Sequence, residues 1–213
     1  MLVNTDLNKI KSNDNKIIKS NIENYELYSD NHPFSLSFRI KNFDSEKDFK
    51  YFIKSVERQV RNSIEYRYWK QYLIEVLDIN TCIITNEKIE ECTIEVHHHI
   101  PSLFTLVKIL ISKRMDNNEE FSTFDIALDT IKLHYLNKLG YITLIKSLHE
   151  KFHNGFLSIP ISYVKGDYIS FLNEYKKYID DVDRELIDVR LATIESNCTW
   201  GRNDYPGMIQ NGK

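Results

Sequence analysis

Apolar and polar positions change period several times along this chain, and each period predicts an element. Residues 33–40 (PFSLSFRI) alternate as a short strand does. Beyond Asp44 or Ser45, either of which can cap a helix, Ile53, Val56, Val60, Ile64 and Leu73 fall near helical spacing. Trp69 and Val76 extend that stripe, so one long helix is expected to about Leu77. Residues 82–85 (CIIT) and 93–98 (TIEVHH) read as two strands joined by the polar turn 86–91, a hairpin. Ser102 caps the apolar helix LFTLVKILISKRM, which Asn117 and Asn118 break. Ser122-x-x-Asp125 is a capping box opening a helix to about Asn137, with Gly140 as its stop. A short strand or extended link at 141–144 leads into a helix carrying His149 and His153, ended by Asn154-Gly155. An extended stretch, a turn at 165–167 and helices over 168–180 and 183–196 complete the pattern.

These elements predict an α+β, mostly helical single domain over 32–213, with a hairpin-plus-helix core at 80–157 and a helical insertion at 102–138. Residues 1–31 are polar, rich in Asn and Lys, and expected to be a poorly ordered arm. With 213 residues, 42% of them apolar, the chain can bury one good core. The abundance of Asn, Lys and Ile is what an AT-rich coding sequence gives, as in phages and low-GC bacteria. A net charge of -3 argues against a protein that coats nucleic acid non-specifically, but leaves room for a local basic groove. Cys82, Cys92 and Cys198 form no C-x-x-C pair, which suits a reducing compartment. No apolar core of a signal peptide opens the chain, and no run is long enough to cross a bilayer. A soluble, cytoplasmic protein with no membrane partner is therefore expected.

Candidate chemistry concentrates in the histidines, six of the seven lying between positions 97 and 153. His149 and His153 are four apart, so on a helix they are neighbours on one face and can reach one cation. His97 and His98 are adjacent on a strand and point to opposite sides of it. One can ligate a metal while the other faces a substrate, or is aimed there by a local twist. A lone histidine is more often a satisfied core or surface residue, which is the reading for His32 and His134. His99 is either an exposed residue or an accessory one. Glu95 alternates with His97 and either orients a histidine or is simply solvated. Lys54, Arg58 and Arg61 recur on one helical face, as a solvated face does, or as contacts to phosphate do.

Three stretches together resemble the HNH family of ββα-metal endonucleases: CIIT, EVHHHIP and LIKSLHEKFHNGF. The shared pattern is a cysteine-led strand, a VHH-x-x-P strand end, and a helix with H-x-x-x-H before a small turn. The resemblance covers about residues 80–157, and a phage-encoded divergent member would fit the composition. It implies that His97, His149 and His153 hold one divalent ion (Mg, Mn, Zn or Ni), with His98 as general base. The implied activity is hydrolysis of phosphodiester bonds in nucleic acid, DNA being the expected partner. Two departures stand out. The family's central asparagine falls on Gly140, and the positions of its paired cysteines read Cys82…Thr85 and Ile145…Leu148, so no structural zinc is expected. His149-Glu150-x-x-His153 is also H-E-x-x-H, the pattern of zinc metalloproteases, with Glu150 as base and Glu174 as a third ligand. A catalytically inactive ββα-metal domain that binds nucleic acid is the remaining alternative.

Overall fold

A computed structural model describes residues 39–194. The polar arm at 1–31, most of the 33–40 stretch, His32 and the tail containing Cys198 lie outside those residues. The described chain is α+β and mostly helical, with seven α-helices and one two-stranded sheet. In order these are α1 (Glu46–Asn62), α2 (Ile64–Glu75), β1 (Ile94–Ile100), α3 (Leu103–Asp116), α4 (Thr123–Tyr135), β2 (Gly140–Ile145), α5 (Lys146–His153), α6 (Tyr168–Tyr175) and α7 (Asp181–Leu191). None of the described helices is long and apolar enough to cross a membrane.

The long helix expected to Leu77 is two helices. Ser63 sits between them at φ -70°, ψ 151°, an extended conformation that breaks the run. Its amide donates to the Val60 carbonyl at 3.1 Å and its hydroxyl accepts from the Tyr66 amide at 3.0 Å. One serine thus closes α1 and caps α2, satisfying end groups that an uninterrupted apolar stripe conceals. The other caps follow the sequence: Ser45, Ser102 and Ser122 each accept an amide three residues on, and Ser122 with Asp125 completes a capping box.

The hairpin is the main correction. Residues 82–85 are no strand; they close a turn through Cys82 N–H to the Glu87 carbonyl, 2.8 Å, and Asn86 N–H to the Cys82 carbonyl, 2.9 Å. The antiparallel partner of β1 is β2, reached only after α3 and α4. The register pairs Glu95 with Leu144, His97 with Ile142 and His98 with Tyr141, with an irregularity between His98 and Ile100. β2 is buried over Gly140 to Leu144, which explains an apolar run without alternation. Gly140 does not stop a helix but opens this strand. A β-carbon there would meet the Ile100 carbonyl oxygen at 2.8 Å, so the two strands approach too closely for any other residue.

The sheet separates two apolar clusters. On one side Ile53, Val56, Trp69, Leu106, Phe121 and Tyr141 belong to the helical core. On the other, Ile142 and Leu144 pack with Leu148 of α5 and with Cys82, Leu157 and Ile159. Alternation along β1 therefore hands successive side chains to different surroundings.

Candidate metal centre

The face of β1 turned to α5 carries His97, and α5 brings His149 and His153 one helical turn apart. His149 Nε2 lies 3.0 Å from His97 Nδ1 and 2.9 Å from His153 Nε2. One nitrogen from each ring falls within 4.8 Å of the other two. Ligands about 2.1 Å from a tetrahedral ion sit a little over 3 Å from one another, so the spacing suits one first-row divalent ion. Glu95, also on this face, accepts the Nδ1 proton of His149. That bond fixes the tautomer and leaves Nε2 with its lone pair directed at the other two rings, the carboxylate–histidine pairing common behind metal ligands.

Electrostatics favour the uncharged form of His97 and of His153. Burial, then the neighbouring histidines and Arg190, push the His97 pKa down to about 2. Burial, then His149, Arg61 and Arg190, lower that of His153, against the pull of Glu95. A neutral imidazole is the ligating form, so the donor set fits a divalent cation at neutral pH. Phe152 lines the inner side, its ring centroid 4.5 Å from that of His97.

His98 does not join this group. It lies on the opposite face of β1, buried, with Nε2 2.8 Å from His134 Nε2. His134 donates Nδ1–H to the Thr130 carbonyl at 2.7 Å, so its Nε2 accepts and His98 donates. The ring of His98 stacks 6.0 Å from both Tyr66 and Trp69. Burial forces the pKa of His98 well below the ordinary histidine range, and that of His134 down to about 4. Strand alternation prevails here, and no local twist brings His98 to the metal side. His134 is the satisfied core histidine that sequence suggested.

The other expected residues scatter. His99 returns to the α5 side, 1% exposed, its ring 6.1 Å from that of His97. Glu150 is exposed on α5. Glu174 on α6 pairs with Lys138 instead of reaching the histidines. Lys54 and Arg61 are exposed on α1 and Arg58 is half-buried there, with Arg61 4.0 Å from Glu57. Sequence reasoning missed Arg190 of α7, which donates to the His99 backbone carbonyl and lies over the Phe152 ring at 6.0 Å. Nothing local marks it, because its partners are supplied by β1 and α5.

Fold and site together define a small α+β protein with a three-histidine, carboxylate-backed centre between a strand and a short helix. A family model for bacteriophage G278-like virion proteins matches residues 1–204, and the chain belongs to that family. No curated protein and no solved structure matches it.

Proposed function

We propose that this phage protein is a metal-dependent phosphodiesterase of the ββα-metal kind, acting on DNA. The observation that carries the reading is the convergence of His97, His149 and His153 with Glu95 behind His149. The strand that pairs with β1 is β2 and not the 82–85 segment of the resemblance, yet α5 still turns two imidazoles onto β1. His97, His149 and His153 hold the ion, and Glu95 orients His149. A divalent ion bound there supplies Lewis-acid stabilisation of charge gathering on a phosphate. Phe152 and the apolar cluster beneath α5 keep one side of the centre dry, which strengthens electrostatic contacts.

A second reading has its own observation. Because His98 is held by His134 within the core, the expected base is missing from the metal side. A metal-clamped domain without hydrolytic activity accounts for that directly.

Supercoiled plasmid incubated with the protein and Mg, Mn, Ni or Zn separates the two. The enzyme reading expects nicked or linear product with at least one ion, lost in His149→Ala. Binding of one ion per chain with no cutting under any ion establishes the second reading.

A further inference from the structure

Arg190 is half-buried in the last turn of α7, and among the described residues it forms no ion pair. A guanidinium carries five N–H donors. Among the described residues Arg190 makes a single hydrogen bond, Nη1 to the His99 carbonyl, beside its contact with the Phe152 ring. A cation withdrawn from water without a counter-charge is costly, and an arriving anion relieves that cost. His99 adds an independent sign. Its ring is 1% exposed, yet neither Nδ1 nor Nε2 has a hydrogen-bond partner. A neutral imidazole always carries one N–H, so a buried donor is left waiting for an acceptor. Both groups border Phe152: the His99 ring is 5.4 Å from it, the Arg190 guanidinium 6.0 Å, and the His97 ring 4.5 Å on the metal side.

We infer that Arg190 and His99 form an anion subsite flanking the three-histidine centre, fitted to a phosphate group of the substrate. The choice of phosphate rests on the phosphodiesterase reading; the existence of an anion site does not. Arginine's planar fork matches a tetrahedral oxyanion through two parallel N–H donors, and the His99 N–H offers a third. With the three-histidine centre and Arg190 both bordering Phe152, a phosphodiester group would be held by the ion and the guanidinium together. That is the positioning a hydrolytic centre requires.

The test uses the full chain without metal, titrated calorimetrically with inorganic phosphate and, separately, with acetate, while NMR follows the arginine Nε–H and histidine ring signals. Saturable phosphate binding that shifts the Arg190 and His99 signals is expected. Arg190→Gln should weaken phosphate binding about tenfold or more, the effect of losing a charged hydrogen-bond donor. Arg190→Lys, which keeps the charge and loses the fork, should fall between and serves if Arg190→Gln fails to fold. Zinc affinity should be held or rise in both variants, since a neighbouring positive charge is removed or unchanged. Equal phosphate affinity in wild type and variants, or no saturable binding at all, overturns the subsite. Acetate binding as tight as phosphate overturns the assignment to phosphate. None of these readouts involves plasmid cleavage, so failure of the subsite and failure of the nuclease reading appear in different experiments.

Discussion

Glu95 accepts the Nδ1 proton of His149 and thereby decides which nitrogen of that ring faces His97 and His153. The two residues are brought together across β1 and α5, from opposite ends of a long stretch of sequence. A ligand whose outer nitrogen is held in this way presents its lone pair without a search over ring orientations.

Glu95→Gln should therefore weaken zinc or nickel binding about 10–100-fold, the usual cost of removing such a partner. His149→Ala, which deletes a ligand outright, should cost more. Competition titration against a metal-sensitive dye measures both. Unchanged affinity in Glu95→Gln would show that the carboxylate does not orient the ring.

His98→Ala should act on stability. It opens a cavity beside Tyr66 and Trp69 and strands the acceptor Nε2 of His134 in the core. Together these should lower unfolding free energy by about 2–4 kcal/mol, read by urea denaturation. Metal stoichiometry should persist, because His98 supplies no ligand. A variant as stable as wild type that loses only cleavage would instead restore the role of base to His98.

Gly140→Asn restores the asparagine of the family that EVHHHIP and the H-x-x-x-H helix resemble. It should nonetheless destabilise by about 1–3 kcal/mol, the range for forcing atoms into a packed site. The obstacle is the Ile100 carbonyl oxygen at 2.8 Å from the added β-carbon, and backbone does not yield as a flexible side chain would. Thermal melts of Gly140→Ala and Gly140→Asn should show losses in both. An asparagine variant that melts with wild type would mean that the strands can part at this point.

The capping box of α4 gives a pH signature. Hydrogen bonds from Ser122 to Asp125 lower the pKa of that carboxyl below 3.8. A depressed carboxyl contributes stability that is fully present above its unfolded value and lost as pH falls through the folded one. The stability gap between wild type and Asp125→Asn should therefore be open at pH 6 and narrow below about pH 4. Ser122→Ala should cost about 1 kcal/mol. Chemical denaturation at several pH values checks both; a gap that widens in acid would contradict the hydrogen-bonded geometry.

Helix existence was legible because caps and 3.6-residue spacing are local signals. Ser45, Ser102, Ser122 and Asn154-Gly155 all mark ends where expected. Strand partnership was not, because nothing near Ile94 announces that its partner is Ile145. The trio His97, His149 and His153 could be grouped from spacing alone, since i,i+4 places two rings on one face and a strand supplies the third. The side taken by His98 required knowing what lay behind β1. Tyr66, Trp69 and His134 belong to α2 and α4, which no local signal ties to the histidine run. Arg190 was invisible for the same reason, its meaning residing in Phe152 and the His99 carbonyl.

Three consecutive imidazoles make β1 nearly indifferent, in ligand chemistry, to sliding by one residue along β2. A slip that put His98 in the place of His97, beside His149 and His153, would move His99 into the core beside His134. What breaks the tie lies at the two ends of the strand. That slide would take the Glu95 carboxylate off its place behind His149 and onto the position of Ile94, and would move Ile100 off the position paired with Gly140. The identity of the ligand is thus set by a glutamate and a glycine, neither of which is a histidine.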